Sequence, residues 1–277
     1  MKLITYIKEA QKNKKAIWHF NVGGFEQWLG IYEAVKQTKD PVIVATSEGE
    51  STYVSSKLLR QLVNLAQSEG LPIFLGADHR KSTESVEEAL SGNVDAIVLD
   101  ASKHGYDDNV MFVKKMNDLC KKRNPEILTE GELGFIGASS EIHAMFDESL
   151  IKNLPSVEMI NKFIYETGIN LVAPALGTIH GIVQGGNPAI DIDHIKKICE
   201  EVSVPVVLHG GSGVAMNVLQ EIRHCGVSVI HINTDIRVTM RSALEKSLIE
   251  HTDMAPYKYL LPVAEAVKLK VLEFMNL

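Results

Sequence analysis

The sequence predicts an α/β chain folded as a TIM (β/α)8 barrel, with an additional helical tail at its C-terminus. Short apolar runs rich in β-branched residues recur along it, and each is followed by a polar-apolar stretch of helical period. Strands that alternate with helices imply parallel pairing. The 277 residues also fit the ~250 usual for eight strand-helix units. A doubly wound open sheet is the other architecture compatible with such alternation.

The runs and their helices can be taken in order. AIWHFNV (16–22) precedes a helix expected over Glu26 to Lys36, and PVIVAT (41–46) precedes one over Thr52 to Glu69. PIFLGADH (72–79) leads to Ser82 to Ser91, AIVLDAS (96–102) to Asp107 to Lys121, and EILTEGEL (126–133) to Val157 to Glu166. NLVAPAL (170–176) leads to Asp191 to Glu201, PVVLHG (205–210) to Ala215 to Cys225, and VIHINTD (229–235) to a terminal helix near Ile236 to Glu250. The tail begins near Pro256. No Pro/Gly/Ser-rich linker divides the chain, so one domain is expected over residues 1–277. Two connections, Gly134 to Ser156 and Gly177 to Pro188, are longer than the rest and carry glycine, which marks them as expected mobile binding loops.

Composition narrows the function. With 45% hydrophobic and 23% charged residues the chain has the make-up of a globular protein. A net charge of -7 without a basic stripe argues against a nucleic-acid surface, because such surfaces concentrate Lys and Arg against phosphates. The three cysteines, Cys120, Cys199 and Cys225, lack CxxC spacing and read as reduced thiols of a cytoplasmic protein. No run reaches the ~18 to 20 apolar residues of a membrane span, and the N-terminus lacks the apolar core of a leader. The expected partner is a small molecule, with neither nucleic acid nor membrane.

Barrel enzymes act at the C-terminal ends of their strands. Here those ends carry Asn21, Ser47, Asp78, His79, Asp100, Ser102, Glu130, Glu132, His180, His209, His231, Asn233 and Asp235, whereas the strand starts, Glu126 apart, are Pro, Ala, Asn and Val. Three histidines at one rim, His79, His180 and His209, suit a catalytic zinc with an open fourth position. His19, His104, His143, His194, His224 and His251 read as structural or solvated. Glycine-rich backbone at LHGGSG (208–213) and HGIVQGG (180–186) offers exposed N-H groups, the first at a helix start where a phosphate is favoured. Asp78 and His79 are adjacent, and neighbours on a strand point to opposite faces. At the strand end the chain turns, so one can hold a metal while the other meets substrate.

Taken together, ADH (77–79), VLDAS (98–102), EGELG (130–134), LVAPALGTIHG (171–181), VPVVLHGGSG (204–213) and INTD (232–235) resemble the class II, zinc-dependent fructose-bisphosphate/tagatose-bisphosphate aldolase family. The likeness runs in order over nearly the whole chain, and APALGTIHG and VVLHGGSG are its most specific parts. It implies zinc held by His79, His180 and His209, a monovalent cation as a second ion, and Asp78 as the proton-transfer residue. Asp100 and Glu132 match family carboxylates that orient ligands or hold an alternative zinc position. The implied reaction is reversible aldol cleavage of a phosphorylated ketose to dihydroxyacetone phosphate and an aldehyde, with zinc as Lewis acid and Asp78 as base. The phosphate would lie against Gly181, Gly210, Gly211 and Ser212 with Thr234 nearby, and Asn21, Ser47, His231 and Asn233 would face the substrate. A homodimer or homotetramer is also implied.

The sequence departs from the family in five places, which makes it a divergent member. His231 stands where an Asn is common, Gly24 replaces a second Asn, and Arg80 replaces the glycine after DH. Gln184 replaces the lysine of YKG, and GASSE (137–141) replaces the loop motif GGxED. Glu141 either substitutes for the loop glutamate or is a solvated carboxylate. Arg80, with Lys81, either anchors a second phosphate or a sugar-acid carboxylate, or is a cation at a helix start. His231 is either a substrate contact or a satisfied strand-end histidine. The departures also motivate an alternative, a catalytically silent protein of this fold that binds metal and sugar phosphate. A Schiff-base aldolase needs a lysine on an inner strand, and the eight runs contain none.

Overall fold

Helix α1 (Leu3–Lys12) leads into β1 (Ile17–Asn21), α2 (Phe25–Thr38), β2 (Val42–Thr46), α3 (Glu48–Ser51), α4 (Ser56–Ser68), β3 (Ile73–Arg80) and α5 (Thr83–Ser91). There follow β4 (Ala96–Leu99), α6 (Tyr106–Arg123), β5 (Leu128–Leu133), β6 (Ile142–His143), α7 (Val157–Thr167), β7 (Leu171–Pro174) and β8 (Ile182–Val183). The chain ends with α8 (Ile192–Glu201), β9 (Val207–Leu208), α9 (Met216–Cys225), β10 (Val229–Ile232), α10 (Thr234–Glu250) and α11 (Pro256–Met275). The computed structural model describes residues 1–134, 136–137, 141–143, 154–184 and 190–277.

Eight parallel strands run in the order β7-β5-β4-β3-β2-β1-β10-β9. A bridge between Val172 and Val206 joins the two ends and closes the sheet into a TIM barrel. The eight predicted runs are these strands, although β9 is only two residues long and the eighth run turns into α10 at Thr234.

The interior of the barrel changes character from bottom to top, and the period of two along each strand explains how. The inward residues nearest the strand starts are apolar: Ile17, Ile43, Phe74, Leu128, Leu171, Val207 and Val229 form one buried cluster with Leu3 and Ile7 of α1. Helix α1 thus plugs the barrel floor, with Tyr6 edge-on to Phe74 at 5.5 Å. Two positions further along, the inward residues are His19, Glu130, His209 and His231. Asn21, Asp78, Glu132 and Asn233 come two positions after those or their equivalents. A second apolar cluster fills the layer between the strands and the outer helices.

Several elements differ from expectation for identifiable reasons. Helix α1 was not anticipated. The helix expected over Thr52 to Glu69 is α4, which starts at Ser56 because Ser55 caps it, and the short α3, held by a reciprocal capping box of Ser47 and Glu50, precedes it unanticipated. The C-terminal tail is one long helix packed on α2, and the contact depends on Gly30, where a Cβ would lie 2.7 Å from Val267 Cγ1. The two long loops meet in a small parallel ladder of β6 and β8. Their expected mobility concerns segments that lie mainly outside the described residues.

Candidate active site

The strand order brings the polar strand ends together. The end of β3 does the most unusual work: its pairing with β4 shifts register between Ala77 and Arg80, and His79 takes a left-handed backbone with φ 44°. That conformation costs a non-glycine residue about 1–3 kcal/mol. It turns the His79 ring to the same rim as the inward-facing Asp78, so two adjacent residues serve one site.

His79, His180 and His209 pack their rings with centroids 4.7, 4.9 and 5.6 Å apart. Donor atoms of these three and of Glu132 all lie within 4.8 Å of one another. One nitrogen of each imidazole is engaged elsewhere. His79 Nδ1 faces Asp100 Oδ2 at 2.9 Å, His180 Nδ1 donates to Gly137 O at 2.9 Å, and His209 Nε2 donates to Glu130 Oε1 at 2.7 Å. These outer partners leave His79 Nε2, His180 Nε2 and His209 Nδ1 for a common ligand. His180 Nε2, His209 Nδ1 and Glu132 Oε2 are buried and make no hydrogen bond. Buried polar atoms are rarely left unpaired; three converging on one point fit a bound cation.

Charge is distributed to match. Burial, with His79 beside it, pushes His180 down to about 4, so its ring is neutral near neutral pH. Burial would also lower His209, but the hydrogen bond to Glu130 and the Glu132 carboxylate 3.2 Å from its other nitrogen outweigh it and hold the ring well above its ordinary value. His79 is likewise raised, since Asp78, Asp100 and Glu132 overcome the effect of burial. Burial favours the neutral form of Asp78, but His79 and His231 hold it well below the usual carboxylate range. Asp78 is therefore an ionised acceptor: its Oδ2 takes a hydrogen bond from Asn21 Nδ2 at 2.9 Å, and Oδ1 has no hydrogen-bond partner.

A cavity of 260 Å³ opens above Asp78, His79 and His180, with Ser47, Asp100 and Asn233 in its wall. A narrow cleft beside it is lined by Asn21, Gly181, Gly210, Ser212, His231 and Thr234.

The fructose-bisphosphate aldolase class-II family model matches residues 1–277. The chain is 28% identical to the fructose-bisphosphate aldolase of Geobacillus stearothermophilus over 277 residues, covering 98% of this chain and 93% of that one. It is 30% identical to that of Giardia intestinalis over 286 residues, covering 94% of this chain and 86% of the relative. Among solved structures, the YdjI aldolase from Escherichia coli K12 superposes with a TM-score of 0.83 at 25% identity, covering 98% and 94% of the two chains.

The chain belongs to the class-II fructose-bisphosphate aldolase family. It is accordingly an aldolase, a carbon-carbon lyase. This member's other site residues sort by where their side chains go. Ser47 caps α3 at the cavity wall, and Asn21 donates to both Glu50 and Asp78. Ser212 Oγ accepts from the backbone N-H groups of Asn233 and Asp235, each at 3.2 Å, which leaves its own proton to donate. Gly210 has φ 66°, and a Cβ there would lie 2.3 Å from Ile179 O, so only glycine lets this loop approach the His180 segment. The N-H of Gly211 is occupied by His231 O at 3.2 Å. Thr234 is buried at the first turn of α10.

Arg80 is not brought to the cavity. The turn at His79 sends its side chain outward between barrel and helices, where it is 1% exposed. There it donates to Thr46 O and Oγ1 and to Ser51 Oγ, and pairs with Glu88 at 3.3 Å. It braces the β2 end against α5. Glu141 is exposed on the loop ladder, where its carbonyl accepts from Ile182 N at 2.9 Å; part of the GASSE motif lies outside the described residues.

Sequence reasoning missed His19. It sits directly beneath the site, with Nδ1 against His231 Nε2 at 2.5 Å, and His231 in turn stacks on His209 with centroids 4.1 Å apart. The register of β1 on β10, which pairs His19 with His231, reveals the contact. No helix among the described residues is long and apolar enough to cross a membrane.

Proposed function

We propose that the protein is a zinc-dependent aldolase that reversibly cleaves a ketose 1-phosphate to dihydroxyacetone phosphate and an aldehyde. The observation that carries this reading is the convergence of ring nitrogens from His79, His180 and His209, those of His180 and His209 buried without a hydrogen bond, beside the ionised Asp78 carboxylate. One neutral nitrogen donor, His180, and two, His79 and His209, that a proton can leave suit zinc, with Glu132 as a further oxygen donor. When bound, zinc supplies Lewis-acid polarisation of the ketose carbonyl and its neighbouring hydroxyl.

The chain's own residues do the rest. Asp78 Oδ1, free of hydrogen bonds, accepts the proton of the hydroxyl whose carbon becomes the aldehyde. Asn21 fixes the carboxylate by donating to its other oxygen. The substrate phosphate is held in the cleft by the Gly181 and Gly210 turns, the Ser212 hydroxyl and Thr234, with Asn233 beside it. Asn233 Oδ1 is buried without a partner and can accept from a substrate hydroxyl. Asp100 and Glu130 hold the tautomers of His79 and His209; Asp100 and Glu132 are within reach of an alternative ion position.

The test combines elemental analysis with a coupled assay for dihydroxyacetone phosphate across a panel of ketose phosphates. Near-stoichiometric zinc is expected, with activity that a chelator abolishes, zinc restores and borohydride leaves intact. Zinc and tight sugar-phosphate binding without any cleavage would instead support a silent binding protein, and inactivation by borohydride in the presence of substrate would point to an imine.

A further inference from the structure

The hydrogen bonds that hold Asp78 do not stop at Asn21. Asn21 Nδ2 carries two hydrogens and gives one to each of two carboxylates, Asp78 Oδ2 and Glu50 Oε2, both at 2.9 Å. The amide is thus pinned at two points with its nitrogen end toward both, since its oxygen would meet only acceptors there. Asn21 itself is buried at the end of β1.

Glu50 is fully engaged in this arrangement. Its side chain is only 9% exposed, although it belongs to the four-residue helix α3 beside the cavity mouth. Oε2 also accepts from Ser47 N at 2.8 Å, and Oε1 accepts from Arg237 Nε and an amino group at 3.1 and 2.6 Å. Four hydrogen bonds occupy the roughly four acceptor sites of a carboxylate, so none is left for a substrate or an ion. Helix α3 is in turn tied to the strand that carries Asp78, because Arg80 donates to Ser51 Oγ at 3.0 Å and the Lys81 N-H donates to Glu48 Oε1 at 2.8 Å. The hydrogen bonds close a circuit from β3 through β1 and α3 back to the end of β3, and Arg237 fastens it to α10.

We propose that Glu50 is a positioning residue for the base: clamped by Arg237 and the Ser47 amide, it holds Asn21 Nδ2 on Asp78 Oδ2 and so keeps Asp78 Oδ1 directed at the substrate. This rests on the reading of Asp78 as the proton acceptor of an aldolase. Without Glu50, Asn21 is held through one hydrogen only and is free to turn about its last torsion. Asp78 Oδ1 makes no hydrogen bond, so the carboxylate then loses the contact that sets its rotation. A misplacement of about 1 Å at a reacting group costs ~10²-fold in rate.

A double-mutant cycle tests the relay. Single-turnover cleavage and zinc content would be measured on zinc-loaded wild type, Glu50→Ala, Asn21→Ala and the double variant, with crystal structures of the wild type and Glu50→Ala. Glu50→Ala should be about 10- to 100-fold slower at unchanged zinc, with the loss in kcat and little change in KM. The double variant should be no slower than Asn21→Ala alone, because Glu50 acts through Asn21; a glutamate that only supported the fold would give losses that multiply. Glu50→Gln keeps an oxygen for Asn21 and Ser47 but turns donors on Arg237, so its rate should fall between those of the wild type and Glu50→Ala. In the crystal of Glu50→Ala, the Asn21 amide and the Asp78 carboxylate should be turned from their wild-type positions. A wild-type rate in Glu50→Ala, multiplying losses, or an Asn21 and Asp78 that stay in place would overturn the proposal. Absence of cleavage by the wild type would sink the proposed reaction, and the comparison of the two crystal structures would then decide the relay by itself.

Discussion

Replacing Asp78 with Asn isolates the proposed base. The side chain is buried and ionised, and the amide has nearly the same size, so the barrel should fold as before. The geometry fixes which way the amide turns. Asn21 Nδ2 donates to Asp78 Oδ2, so the amide oxygen of the variant must stay on that side. Its NH₂ then occupies the place of Oδ1, facing His79 and His231, and puts a donor where an acceptor is required. Loss of a general base costs ~10² to 10⁴ in rate, which corresponds to about 2.7 to 5.4 kcal/mol of barrier. The assay is single-turnover release of dihydroxyacetone phosphate from whichever ketose phosphate the wild type cleaves, with zinc measured on the same sample. Retained zinc with a rate lowered by that factor is the expected result. Unchanged turnover would refute the reasoning and send the proton to Glu141 or His231. Loss of zinc along with activity would mean that Asp78 supports the metal and not the proton.

Three further outcomes are expected. Zinc affinity should fall as pH falls, because His79 and His209 sit above their ordinary values in the metal-free protein and must give up protons to bind; His180, at about 4, adds nothing near neutral pH. Calorimetry in buffers of different ionisation heat should register proton release, and its absence at neutral pH would contradict the charge assignment. Arg80→Met should lower stability by about 1–3 kcal/mol in urea unfolding, since it removes the buried donor to Thr46 O and Oγ1, while Glu88 keeps its bonds to Ser56, and should leave KM unchanged; a raised KM at unchanged stability would return Arg80 to the substrate. His19→Ala and His231→Ala should be non-additive by about 0.5–3 kcal/mol in metal-free protein, because each removal leaves the other ring's buried nitrogen without its partner; additive effects would make the contact incidental.

Much of the barrel was legible because parallel strands buried on both faces must be continuous apolar runs, and polar residues ending such runs stand out. His79, His180 and His209 were found that way. Arg80 was not readable, because its direction depends on a left-handed turn at His79 that the letters DHRK do not announce. Helix α1 escaped for a different reason: Leu3 and Ile7 form an apolar stripe, but nothing local says that the stripe plugs the barrel floor. The short α3 ahead of α4 did have a signal, in the S-x-x-E of Ser47 to Glu50, as did the start of α4 in Ser55. His19 had none, since a lone histidine in a β-strand is equally a core residue, and only the strand register pairs it with His231.

That pairing changes how the departures from the family pattern should be read. An Asn at position 231 would be short; the imidazole present reaches from the His209 ring to within 3.5 Å of Asp78 Oδ1. A buried ring with a nitrogen directed away from Asp78 needs a partner there, and His19 supplies it. Position 76 beside His19 is glycine because a Cβ there would lie 2.9 Å from Ile43 Cγ2 and 3.1 Å from Ala45 Cβ, inside the close-packed barrel. Burial, with His19 and His209 nearby, keeps the His231 ring neutral well below its ordinary range, so it adds a polar surface beneath the site without adding charge. The residue at 231 is therefore one part of a unit of three, His19 on β1, His231 on β10 and Asp78 on β3. It forms a polar, uncharged floor directly beneath Asp78, and for this reason the His231 departure bears on the geometry of that carboxylate.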